Sequence, residues 1–328
     1  MKEWYFILTT IDKVVRALGE FPKICKCYPY VKPKRKLLSL ILPIFLITSC
    51  GVVSSPTHHY TAFSNPEIVT ILDYSDDVME PFISSDGTHL FFNNAGGPTN
   101  KDLFYATSVD DTTFQFQGAI ADINTAAVDG VPTMDATNTF YYVSTANYNP
   151  PTTYDTLYVG TWNGSTVTGS TPLTGLAITT PGFVNFDIEV SPDGNTLYFN
   201  DGDFTGGNNF PDEANIVIAL DSGSGFARDP NSTTIMTNVN TDNLEYAPAI
   251  TADGLELFFT RLDLGTMEAR IYRAARSNNN SAFDTPRLVS AIDGFAEGPT
   301  FSPDEKSLYY HRLNTSTNRF EIYRVTRP

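Results

Sequence analysis

After Cys50 the chain contains no cysteine; its other two, Cys25 and Cys27, come earlier. The long region that follows therefore makes no disulfide, and it cannot build a Cys/His metal cluster. Basic residues are scarce there too. Nine of the 21 Lys/Arg but only three of the 37 Asp/Glu fall in residues 1–50, which leaves 12 against 34 and a formal balance of −22. Such a field repels phosphate backbones, so nucleic acid is excluded as a partner. The longest apolar run, Leu37 to Ile47, is 11 residues, short of the ~20 that a membrane-spanning helix needs. No Gly-Lys-Ser/Thr phosphate loop occurs, and in Asp221-Ser-Gly-Ser-Gly225 neither serine has glycines two residues away on both sides, which excludes a nucleophile elbow. No stretch reads as an amphipathic helix.

What is present begins with an address. Lys32-Pro-Lys-Arg-Lys36, the apolar run Leu37–Ile47 and Thr48-Ser-Cys50-Gly51 follow one another as basic, apolar and small segments, the order of a secretory signal. Ile47-Thr-Ser-Cys50 resembles the lipobox of bacterial lipoproteins. By that resemblance residues 1–49 are processed away, Cys50 becomes a lipidated N-terminus, residues 50–60 form a tether, and Gly51 in place of an acidic residue routes the protein to the outer membrane. A plain signal peptide is the alternative. The stretch before Lys32 is long for a signal, which predicts translation starting later than Met1, near Val31.

The rest of the chain repeats itself. Thr61–Asp73 and Ser281–Asp293 align without a gap, with Ala62/Ala282, Phe63/Phe283, Pro66/Pro286, Val69/Val289 and Asp73/Asp293 identical. Between and beyond them stand five copies of one unit: an inner strand, a tight polar turn, an aromatic strand, a loop and a third strand. The turns are Ser85-Asp-Gly87, Asp135-Ala-Thr137, Pro192-Asp-Gly194, Ala252-Asp-Gly254 and Pro303-Asp-Glu305. Asp-Gly is a strong hairpin signal because Gly accepts positive φ at no steric cost. Aromatic strands follow as Leu90-Phe-Phe92, Phe140-Tyr-Tyr142, Leu197-Tyr-Phe199, Leu257-Phe-Phe259 and Leu308-Tyr-Tyr310.

Units of this size with short strands predict an all-β fold, a single five-bladed β-propeller over residues 61–328. The last copy ends at Pro328 after its third strand. The stretch Glu67-Ile-Val-Thr-Ile-Leu72 matches the missing fourth strand, so the N-terminal strand is expected to complete the last blade and close the ring. Glu245-Tyr-Ala-Pro248 with Thr251-Ala-Asp-Gly254, and Asp187 with Ser191-Pro-Asp-Gly194, make the chain resemble the PD40 (WD40-like, TolB-related) propeller repeat of bacterial envelope proteins. The resemblance implies a fold and an envelope setting, and no particular chemistry.

Three sets of residues are candidates for function. Glu80, Asp129, Asp187 with Glu189, Glu245 and Glu297 stand at or just before the inner strands, where they form either a ring of carboxylates able to act as acid and base or a set of structural caps. The positions after the aromatic strands vary from copy to copy: Asn93-Asn94, Val143-Ser144, Asn200-Asp201, Thr260-Arg261 and His311-Arg312. Of these Asp201, Arg261, His311 and Arg312 are candidate ligand contacts, with neutralisation of the acidic ring as the alternative role for the arginines. Asp201, Asp203, Thr205 and Gly206, with Asp212 at the twelfth position, have the spacing of a calcium loop, or form an ordinary glycine-rich loop. The expected function is binding or scaffolding of an envelope protein, peptidoglycan or glycan, with no required cofactor. The alternative is a glycoside hydrolase or polysaccharide lyase using the carboxylates.

Overall fold

The computed structural model describes residues 60–96, 101–207 and 210–328; the signal segment, Cys50 and the His58-His59 pair lie outside them. The described chain is almost entirely β. Each sequence repeat folds as an up-and-down antiparallel set. The first has strands β3 (Met79–Ile83), β4 (His89–Asn93), β5 (Leu103–Asp110) and β6 (Thr113–Ala119). The second has β7 (Asp129–Met134), β8 (Thr139–Ser144), β9 (Leu157–Trp162) and β10 (Val167–Pro172). The third joins β11 (Phe183–Val184) and β12 (Ile188–Val190) to β13 (Thr196–Asp203), then adds β14 (Glu213–Asp221) and β15 (Phe226–Arg228). The fourth runs through β16 (Leu244–Ile250), β17 (Glu256–Asp263), β18 (Glu268–Ala275) and β19 (Arg287–Leu288). The last has β20 (Ala296–Phe301), β21 (Ser307–Asn314) and β22 (Arg319–Thr326). Among the described residues a single helical turn, α1 (Ser232–Ile235), interrupts the pattern.

The N-terminal stretch behaves differently from the single strand expected at residues 67–72. It divides at Val69. Strand β1 (Ser64–Ile68) pairs antiparallel with β22, while β2 (Thr70–Leu72) crosses to pair parallel with β6 of the first unit. The alignment with residues 281–293 is nevertheless exact in space: Glu67 opposes Arg324 as Arg287 opposes Arg273. Val69 N–H donates to Ile322 O (2.9 Å) as Val289 N–H donates to Ile271 O (3.0 Å).

The turns explain why the repeats are legible. In four of them a hydroxyl and an aspartate close the hairpin together. Ser302 Oγ donates to Asp304 (2.6 Å), Asp304 accepts from Lys306 N–H (3.1 Å), and Ser307 N–H donates back to Ser302 Oγ (2.9 Å). Ser84/Asp86, Ser191/Asp193 and Thr251/Asp253 do the same. In the divergent second unit Asp135 alone replaces both, accepting from Thr137 N–H (2.8 Å) and Thr139 N–H (2.9 Å).

Apolar clusters fill each seam between neighbouring sheets. Phe82 and Phe91 meet Phe140, Tyr142 and Trp162, and at the seam between last and first units Tyr309 and Ile322 meet Leu90 and Phe92. Each fully buried ring contributes roughly 1.5–3 kcal/mol by burial.

The first strands β3, β7, β12, β16 and β20 stand side by side in that order, and β20 also stands against β3. In four of them a bulge interrupts pairing: at Glu80 (φ 50°), Val131 (φ 54°), Ala247 (φ 47°) and Gly298 (φ 62°), each followed by proline. The positive φ turns the N–H out of its own ladder toward the preceding unit. There a side chain accepts it. Val131 donates to Asn93 Oδ1 (2.9 Å), Ala247 to Asp187 Oδ2 (3.1 Å), Gly298 to Thr260 Oγ1 (3.1 Å) and Glu80 to His311 Nδ1 (3.0 Å). A left-handed residue other than glycine costs about 1–2 kcal/mol, and a buried hydrogen bond returns about 1 kcal/mol. The latch therefore offsets much of the bulge's strain. The prolines and Ile188 enclose an axial cavity of about 30 Å³, room for about one water. Glu189 lines the same cavity and accepts from Thr133 Oγ1 (2.7 Å).

Two outcomes follow. Asn93→Ala leaves the Val131 N–H without its acceptor, at a cost of roughly 1–3 kcal/mol and a fall in Tm of about 2–10 °C; an unchanged melting curve contradicts the latch. Burial pushes Glu189 up from 4.5 to about 8, against the bonds from Thr133 and Ile250 N–H. The folded state thus holds the proton more tightly than the unfolded chain, and this group's contribution weakens as pH rises from about 4.5 to about 8. Melting at pH 5 and pH 8 should show a gap that Glu189→Gln narrows; an unchanged gap contradicts this.

Candidate functional site

Counting from the turns, the five candidate carboxylates fall at three different places in the repeat. Glu80 occupies the bulge position itself, six residues before Asp86, and Asp187 the equivalent place six residues before Asp193, ahead of β12, which has no bulge. Glu297 is one residue earlier in its unit, and Asp129 and Glu245 two. A single ring of equivalent acids, one of the two arrangements the sequence allowed, is therefore not formed.

The structure separates them by task. Asp129 accepts from Thr125 N–H (2.6 Å) and Thr125 Oγ1 (2.8 Å), and Glu245 accepts from Thr241 N–H (2.8 Å) and Thr241 Oγ1 (2.7 Å). Both are fully buried and both tie down the loop leading into their own strand. Arg261 belongs to this scaffold, since its Nε donates to Glu245 (2.5 Å) and its NH2 to Val239 O (2.9 Å). Arg312 pairs with the exposed Asp293 and lies 3.8 Å over the Tyr323 ring. The arginines proposed as ligand contacts thus have partners elsewhere.

Glu80, Asp187 and Glu297 converge instead, at the end of the axis where the first strands begin. Lys101 Nζ donates to both oxygens of Glu80 (3.1 and 3.0 Å). Tyr246 OH donates to Glu297 Oε1, and His311 Nε2 lies 3.3 Å from Glu297 Oε2. Because His311 Nδ1 accepts the Glu80 N–H, its proton sits on Nε2 and donates to Glu297. His311, a candidate ligand contact, therefore joins the latch to the acid cluster. Burial, then the facing Glu80 carboxylate and to a smaller degree Glu297, push Asp187 well above the usual carboxylate range; the Ala247 N–H and Lys101 oppose this. Burial and the adjoining Glu297 carboxylate push the Tyr246 hydroxyl well up.

Aromatic side chains adjoin the cluster. Phe186 lies 6.1 Å from Tyr246 and 6.1 Å from Phe204, and His311 meets Phe320 edge-on at 5.4 Å. Space for the cluster is set by small residues. A Cβ on Gly298 would meet His311 Nδ1 at 3.0 Å, and one on Gly130 would meet Lys101 Cδ at 2.9 Å.

Sequence reasoning passed over Lys101 and Tyr246. A signal for each was available: Lys101 is one of two lysines after Cys50, and repeat register aligns Tyr246, rather than Glu245, with Glu297.

The calcium-loop residues disperse. Asp201 forms a bidentate pair with Arg228 (2.7 and 2.6 Å) and accepts from Asn185 Nδ2 (2.8 Å). Asp203 accepts from Thr205 N–H (2.8 Å), and Asp212 accepts from Gly206 N–H (2.7 Å). Among the described residues no three Asp, Glu, His or Cys side chains are arranged around a metal-sized centre.

No protein-family model and no curated protein matches this sequence. Solved structures match its fold. Endo-arabinase from Bacteroides thetaiotaomicron superposes with a TM-score of 0.53 at 15% identity, over 80% of this chain and 98% of that one. A family 117 glycoside hydrolase from Zobellia galactanivorans gives 0.53 at 12% identity, over 81% and 90%. TolB from Acinetobacter baumannii gives 0.42 at 14%, over 76% and 54%, too loose a superposition to argue from. At these identities the likeness concerns the β-propeller fold alone.

Proposed function

We propose that the repeats form a five-bladed propeller closed by Ser64–Ile68, and that the acid cluster at one mouth of its axis cleaves glycosidic bonds. The observation that carries this reading is the contrast between two neighbouring carboxyl groups. Asp187 is buried and pushed up, whereas Glu80 faces it with Lys101 as its counter-charge. Groups whose surroundings favour opposite protonation states can divide the roles of acid and base.

In this reading Asp187 gives its proton to the leaving oxygen as the glycosidic bond breaks. Glu80 takes a proton from the attacking water or attacks the sugar carbon itself. Tyr246, Glu297 and His311 hold the far side of the cluster in place. Hydrolysis is supported over a lyase reaction on uronates, because Arg261 and Arg312 are engaged with Glu245 and Asp293 and leave Lys101 as the cation among the cluster contacts described above. Glycoside hydrolases on the same fold, an endo-arabinase among them, are consistent with a glycan substrate.

A second reading, binding of an envelope protein, peptidoglycan or glycan without turnover, is favoured by one feature: Glu80 and Glu297 already have partners within the chain.

The experiment is a screen of the folded protein for new reducing ends on neutral polysaccharides. Asp187→Asn should lower turnover by about 10²–10⁴-fold with Tm unchanged or raised, since it removes a carboxyl that burial disfavours. Asp129→Asn should lower Tm and leave the rate per folded molecule unchanged. Equal loss in both variants contradicts an acid role for Asp187, and silence across the panel contradicts hydrolysis and leaves the binding reading.

A further inference from the structure

At the opposite end of the strands, a cavity of about 520 Å³ opens beside the last unit, lined by Asp111, Ser302, Lys306, Ser307, Arg324 and Arg327 among others. It lies at the Ser307/Thr326 end of β21 and β22, whereas Glu297 and His311 pair near the other end of β21. Basic side chains are rare in this chain. Lys306 is the second of the two lysines after Cys50.

The preceding unit shows what chemistry this place accepts. By strand register Glu256 and Arg273 of the fourth unit correspond to Ser307 and Arg324 of the last: Phe258 opposes Arg273 as Tyr309 opposes Arg324. In the fourth unit the buried Glu256 carboxylate accepts from Arg273 Nε (2.7 Å) and from Arg327 NH1 (2.8 Å). In the last unit the same guanidinium atom, Arg324 Nε, meets only the Ser307 hydroxyl (2.9 Å). A serine occupies the place of the carboxylate. The terminal nitrogens of Arg324 reach Glu67 (3.1 Å) and Asp111 (2.9 Å), whose side chains are 48% and 76% exposed. The guanidinium itself is fixed near the Tyr309 face, and that of Arg327 lies 5.0 Å over Phe63. The cavity thus combines a pre-positioned guanidinium, an ammonium and two hydroxyls, from Ser307 and Thr326, with the Asp111 and Asp304 carboxylates at its edge.

We infer that this cavity binds a ligand bearing a carboxylate, sulfate or phosphate group, which sits against Arg324 and Lys306 as the Glu256 carboxylate sits against Arg273. The site is separate from the acid cluster and does not depend on its activity. Planar or tetrahedral oxyanions suit a guanidinium fork, and the hydroxyls supply further donors.

Thermal melts of the full chain test it, with sodium galacturonate, sulfate or phosphate replacing chloride at constant ionic strength. At least one of the three should raise Tm saturably. Ser307→Glu, which restores the fourth unit's arrangement, should abolish the rise while itself raising Tm. Arg324→Gln should increase the half-saturating concentration about tenfold or more. The anion saturating at the lowest concentration identifies the ligand's charged group. Absence of a saturable rise with all three, or an equal rise in Ser307→Glu, overturns the inference.

Discussion

The fold depends on a backbone N–H turned sideways. At the bulges of four first strands the residue before proline adopts positive φ, and its N–H crosses to a side chain of the preceding unit. Seam aromatics supply most of the burial energy, but burial is indifferent to register. The latch is directional and fixes how far one sheet slides along the next. It reads the backbone, so the side chain at that position can vary where space allows, as it does not at Gly298. Val131, Ala247 and Gly298 leave it silent, while Glu80 places a carboxylate there and Asp187 brings a second as the acceptor of the Ala247 latch. At Glu80 a carboxylate is thereby carried on a position whose scaffold role is met by its backbone.

Charge follows the same division. Two carboxylates, Asp129 and Glu245, serve as loop ties and are met by threonine N–H and hydroxyl groups. Three others gather at the axis with Lys101, and burial there drives Asp187 toward its neutral form. A buried group of like charges is tolerated only if some are protonated or paired, and the cluster does both. His311 links the two systems, since the same ring accepts the latch from Glu80 and donates to Glu297.

Much of the architecture was legible in the sequence because hairpin turns use few residue types. Asp-Gly at the turns and the aromatic strands after them located the repeats, and even Asp135 kept the turn's hydrogen bonds when the glycine was gone. The splitting of residues 64–72 was hidden, because a strand that changes partners at Val69 has the same composition as one that does not. Site roles were harder to read. Asp129 and Asp187 look alike in sequence, and register distinguishes them: Asp187 stands six residues before Asp193 and accepts the Ala247 N–H, whereas Asp129 stands two residues before the bulged Val131. Lys101 comes from a loop after β4, outside the repeat signature, so no periodicity pointed to it.

The protonation state of Asp187 is the most direct measure of the account. A ¹³C-carboxyl NMR titration, with the resonance assigned by its loss in Asp187→Asn, reports it. The expected result is a carboxyl carbon that keeps its proton to a higher pH than those of the exposed aspartates. An Asp187 that titrates with the exposed aspartates and is ionised at neutral pH would contradict it.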